Sequence, residues 1–148
     1  MPPPVKLLLS FLAGWVLLWL ALLVIGALAA IQTPALLRPL TQGHGWFGVT
    51  LHSLLIVHIP AALLAMVYGW VVFRLLDARG LLVVATCVLP WFTYCVVEAV
   101  NYYHEAQFPP SQKLALLLAW YMWFGRLSIP LGLWLASRLA GQRTQSAA

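Results

Sequence analysis

The chain has 148 residues, 64% hydrophobic and 7% charged, and its eight basic and three acidic side chains give a net charge of +5. A domain this small has too much surface for its volume to hide so large an apolar fraction, which excludes a water-soluble fold. The basic residues form no cluster that could track a phosphate backbone, which excludes nucleic acid as a partner. No polar stretch is long enough for a sizeable domain outside a membrane.

Four apolar runs follow one another along the chain, at about residues 7–31, 46–73, 81–103 and 114–139. Each reaches the roughly 20 residues needed to cross a hydrocarbon layer as a helix. Lys6 and the small residues from Gly26 to Ala30 give the first run some likeness to a signal peptide. Its apolar stretch exceeds the roughly 7 to 15 residues of a cleavable segment, so a retained helix is expected. Pro34, Pro39, Gly43 and Gly45 break the chain after it. A glycine-closed turn from Leu76 to Gly80 separates the second and third runs, and Pro109 and Pro110 separate the third and fourth. Links this short predict an all-α, integral membrane four-helix bundle of up-down-up-down order. It would form a single domain in which successive helices are antiparallel neighbours.

Orientation follows from the basic residues flanking the runs. With both termini in the cytoplasm, Lys6, Arg74, Arg79, Arg138 and Arg143 lie inside and only Arg38 and Lys113 outside. The expected location is therefore an inner (plasma) membrane, crossed several times. Two ladders of small side chains, Ala61, Ala65 and Gly69 on the second run and Gly132, Ala136 and Ala140 on the fourth, mark surfaces of close helix packing. Their partners are left open. Cys87 and Cys95 are eight residues apart on one helix, about 12 Å along its axis, too far for a disulfide.

Ionisable groups at membrane depth are costly and seldom face lipid. Three occur here, His58, Glu98 and Arg126, one on each of the last three runs. Counted from each cytoplasmic boundary they stand at about 24, 26 and 18 Å, and arginine can snorkel toward the nearer polar region. The three heads are thus expected to meet at one level in the outer leaflet. Tyr94 and Asn101 flank Glu98 by one turn on either side of the third helix, and Trp120 and Trp123 stand near Arg126 on the fourth. Pro60, Pro90 and Pro130 each remove a helical hydrogen bond and can open a cavity between helices. Ser53 and Ser128 are expected to bond backbone carbonyls.

His52 and His104 also match in height, which suggests haem b held by two imidazoles. Each lies about 120° around its helix from the charged layer. They turn apart if His58 and Glu98 face each other across the contact of the second and third helices, so haem is the weaker alternative and no other metal site is expected. No motif of nucleophile, nucleotide loop or zinc site is present, and catalysis is left undecided with no catalytic residue assigned. The leading expectation is an accessory or anchoring subunit of a larger membrane complex, with membrane lipid and a membrane-protein partner or a second copy around it. The alternative is a quinone- or lipid-binding redox or binding protein using His58, Glu98, Arg126, Tyr94, Asn101, Trp120 and Trp123. A small transporter or proton conductor is the third reading.

Overall fold

A computed structural model describes residues 2–32, 35, 38–41, 45–77, 80–105, 107, 109–118, 123 and 125–142. Among them the chain is all-helical, without strands. The helices are α1 (Pro3–Ala29), α2 (Arg38–Thr41), α3 (Gly45–His52), a π-helical turn (Ser53–His58), α4 (Ile59–Leu75), α5 (Leu81–Glu105), α6 (Pro110–Leu118) and α7 (Ser128–Gln142). Three helical stretches are long and apolar enough to cross a membrane: Pro3–Ala29, Phe47–Leu75 and Leu81–Glu105. The fourth expected run is not one continuous helix. α6 ends at Leu118, and residues 125–127 form a turn before α7 begins. The described residues thus give three membrane-length helices and a broken fourth segment.

Proline explains much of the local geometry. Pro3 opens α1, where a missing N–H costs nothing. Pro60 cannot donate to the carbonyl four residues back, and the chain responds one turn earlier by widening. The Ile59 N–H reaches the Leu54 carbonyl, five residues back, and residues 53–58 form a π-helical turn. Pro90 sits inside α5 and deletes one rung of its ladder. The α4–α5 turn closes on Gly80, whose φ of +118° suits glycine. Lys6 fastens that turn to the start of α1 by donating to the Asp77 carbonyl at 2.6 Å.

The closest packing joins alternate helices, α4 with α7 and α1 with α5; successive helices were expected to be antiparallel neighbours, and of these α1 and α4 touch whereas α4 and α5 are not in substantial contact. In each closely packed pair the two helices run in the same direction. Gly14 of α1 lies against Cys87 and Pro90 of α5, while Lys6, eight residues earlier, lies beside Asp77 ahead of α5. Gly132 of α7 meets Ala62 and Ala65 of α4, and Gly69 further along α4 meets Leu133 and Ala136. The two small-residue ladders are therefore each other's partners. α1 and α4 run in opposite directions, joined where the Tyr68 hydroxyl donates to the Ala13 carbonyl at 2.9 Å. The short α4–α5 turn reverses the chain but does not set which helices pack most tightly. That is decided where glycine lets two backbones approach, because lipid supplies no hydrophobic drive between helices.

Ala21, Ala61, Ala65, Ile129, Leu133 and Ala136 are fully enclosed at these crossings, while Trp19, Leu23, Leu63, Val67, Leu82 and Phe92 are exposed on the outer faces. Exposed apolar faces suit a chain surrounded by acyl chains.

A side chain at Gly14 would fall on the Cys87 carbonyl, whereas nothing approaches Gly26 on the same helix. We expect Gly14→Val to lower unfolding stability in detergent by about 1–3 kcal/mol through overpacking, with Gly26→Val neutral or slightly stabilising. Equal losses at both positions would show that α1 and α5 do not touch at Gly14.

Candidate functional site

A cavity of about 310 Å³ lies where α1, the π-helical turn, α5 and the turn before α7 come together. Its polar wall is Ser53, His58, Tyr94, Cys95, Glu98, Gly125 and Arg126, and its apolar wall is Leu22, Ile25 and Trp91. His58, Glu98, Arg126 and Tyr94 are thus on one cavity. They meet by a route different from the expected one, because α4 and α5 are not in substantial contact. The turn that carries Gly125 and Arg126 bridges between them.

Arg126 Nη2 donates to Glu98 Oε2 at 3.0 Å. The arginine side chain is 14% exposed and the glutamate 49% exposed, so the pair closes the cavity on one side and reaches its surface through the carboxylate. The guanidinium also lies 4.9 Å from the centre of the Trp123 ring, a cation–π contact. Tyr94 shares the cavity wall with Glu98, and its ring stands 5.9 Å from that of Trp91. A guanidinium paired with a carboxylate at this depth offsets much of the cost of burying either charge.

Arg126 is held by its own main chain. Pro130 stands four residues later and has no N–H, so it cannot cover the Arg126 carbonyl as a regular helix would. Trp91 Nε1 donates to that carbonyl at 2.8 Å instead. Ser128 covers the neighbouring carbonyl of Gly125 with both its N–H, at 3.2 Å, and its hydroxyl, at 2.6 Å. The break before α7 is therefore satisfied internally, as a bilayer demands, and it points Arg126 at α5. The expectation of Arg126 in the middle of a helix is corrected here: it sits in a turn.

His58 is fixed from two sides. Its ring packs on Gly125, where a Cβ would collide with Nε2 and Cε1. Its Nε2 pairs with Ser53 Oγ at 3.1 Å. In a regular α-helix, residues five apart point about 140° away from each other. The π-helical turn brings Ser53 and His58 together and overturns the regular-helix angular count used to relate His52 to His58. It also redirects Ser53, expected to bond a carbonyl, to the imidazole. His58 Nδ1 is buried without a hydrogen-bond partner.

Asn101 is exposed on α5 and, like Trp123, does not line the cavity. Trp120 lies outside the described residues. His52 and His104, the haem alternative, do not line the cavity either, and His104 is exposed, with its ring edge-on to Tyr103. Among the described residues no group of three or more His, Cys, Asp or Glu side chains is placed to hold a metal ion. Sequence reasoning missed Gly125, Cys95, Leu22 and Ile25 as walls and Trp91 as the donor to Arg126. The Trp91 role had a signal, since Pro130 falls four residues after Arg126 and leaves a carbonyl in need of a donor.

Trp91→Phe strands the Arg126 carbonyl and should cost about 1–3 kcal/mol in unfolding free energy. In a Pro130→Ala background a main-chain N–H returns to that carbonyl, so the same substitution should cost distinctly less. A double-mutant cycle by denaturant titration in detergent reads the difference, and strict additivity would refute the coupling.

No protein-family model, curated protein or solved structure matches this chain.

Proposed function

We propose that this chain is an integral protein of the inner (plasma) membrane that crosses it four times, with both termini in the cytoplasm, and binds a membrane-soluble amphiphile with an uncharged carbonyl-bearing head, of the quinone type. The fourth crossing would run through α6 and α7. Orientation is supported by the basic residues at one end of the helices. Arg74 packs 5.0 Å over Trp70 near the end of α4, and Arg138 5.3 Å over Trp134 on the parallel helix α7, with Lys6 at the same end on Asp77. An excess of cations suits the cytoplasmic interface.

The observation that carries the ligand reading is the cavity walled by the Arg126–Glu98 pair and by His58, whose Nδ1 is buried without a partner. Its volume falls within the range of about 300–1,000 Å³ of small-molecule sites. The pair is internally balanced. A phosphate head would bring an uncompensated charge to a site of low dielectric, whereas a ring bearing carbonyl oxygens brings acceptors alone. Arg126 keeps further N–H donors besides the one given to Glu98. When the Ser53 hydroxyl donates to Nε2, His58 carries its hydrogen on Nδ1 and becomes a second donor. Trp91 and Tyr94 supply flat walls for a ring.

A second reading, an accessory or anchoring subunit docked on a partner helix, is favoured by the outer edge of α5. Glu98 is half-exposed there and Asn101 exposed, and polar groups at membrane depth are seldom left facing lipid.

The test uses purified protein in detergent and a benzoquinone that carries a methyl group in place of a chain. Binding is followed by quenching of tryptophan fluorescence. We expect saturable binding, weakened about tenfold or more by His58→Phe and by Glu98→Gln, with accumulation in the membrane unchanged. No saturable binding by the native chain would refute the ligand reading. Loss of membrane accumulation in Glu98→Gln, restored by adding Arg126→Leu, would assign the ion pair to assembly.

A further inference from the structure

His58 belongs to two spaces at once. On one side is the polar cavity. On the other is a groove of about 560 Å³ between α4 and α7, lined almost wholly by apolar side chains, among them Leu54, Ile59, Ala62, Leu127, Leu131 and Trp134. Its rim is open to the outside, since Ile59 is 43%, Leu131 53% and Leu127 60% exposed. Among the described residues the imidazole is the side chain that lines both, with Ser53 and Gly125 on the cavity side and Ser128 and Pro130 on the groove side.

Resting on the reading of the cavity as a head-group site, we infer that the α4–α7 groove holds the hydrocarbon chain of the same amphiphile and that His58 is the gate between head and chain. Three observations carry this. The groove and the cavity share the His58 imidazole as a wall, so a head seated against Arg126 lies one side chain away from an apolar channel. The groove lies among the spanning helices and opens outward, so the rest of a long chain continues into the bilayer without crossing polar surface. The imidazole is also held at a cost. With Nδ1 buried and unpaired it gives up a hydrogen bond, which a rotation that exposed Nδ1 to a ligand oxygen would recover.

The proposal commits to a single occupant. Because both walls of the groove are helices of this chain packed at Gly132 and Gly69, filling it with a partner's side chains would leave the head group without a route for its tail.

Two probes test it, a benzoquinone with a decyl chain and the same ring with methyl in its place. Each is titrated against native protein and against Leu131→Trp and Ile59→Trp. Both substitutions are at exposed rim positions, so the fold should be retained, and a melting curve checks it. We expect the decyl quinone to bind about tenfold or more weakly to both variants, while the methyl quinone binds as it does to the native chain. If the two quinones are affected equally, or neither is affected, the chain does not use the groove and the inference is overturned while the head-group reading stands. If native protein binds neither probe, both fall. A decyl quinone bearing a diazirine near the chain terminus gives a readout free of variants. Cross-links on residues 127–134 or 54–62 support the route, and cross-links confined to α1 or α5 overturn it.

Discussion

Pro130 has no hydrogen to give the Arg126 carbonyl, and in a bilayer that carbonyl cannot turn to water. The indole of Trp91 meets the need from α5. Much else in the site depends on this bond. It sews the entry of α7 to α5, two elements that otherwise touch little, and it sets the turn from which Arg126 reaches Glu98. It also brings Gly125 under His58. The bond thus ties together the elements that bring three ionisable side chains from distant parts of the sequence to one cavity.

The two other prolines act in the same manner. Pro60 loosens the chain into a π-helical turn that pairs Ser53 with His58. Pro90 interrupts α5 where Gly14 of α1 presses against it. Each break in a helical ladder falls at a crossing or at the cavity. In soluble proteins water would cover such breaks. At Pro130 a neighbouring side chain does so and at Pro60 main-chain bonds are rerouted, and these breaks become fixed points of the architecture.

A polar cavity next to an apolar groove, separated by one imidazole, matches the division of an amphiphile into head and chain. In the proposed reading, the internal charge balance of Arg126 and Glu98 suits an uncharged head, and the groove between α4 and α7 suits a chain that exits into lipid. The exposed polar edge of α5 at Glu98 and Asn101 is a separate feature of the surface, suited to a neighbouring helix, and does not compete with the groove for space.

Composition and run length were enough to determine helices of membrane length, because a 30 Å apolar layer and the need to satisfy every backbone group leave few solutions. The cost of burying charge was also enough to single out His58, Glu98 and Arg126, and residue size marked Ala61, Ala65, Gly69, Gly132 and Ala136 as packing surfaces. Which surface met which could not be read, since small residues say that a backbone approaches but not whose. Ideal-helix counting failed at Ser53–His58, where the chain forms a π-helical turn beside Pro60, and the expected continuous fourth helix failed at residues 125–127, where the chain turns ahead of Pro130. Only the assembled helices decided that α1 packs on α5 and α4 on α7, that Trp91 serves Arg126, and that His58 stands between a polar and an apolar space. Those outcomes depend on contacts between residues tens of positions apart, and local sequence carries no term for them.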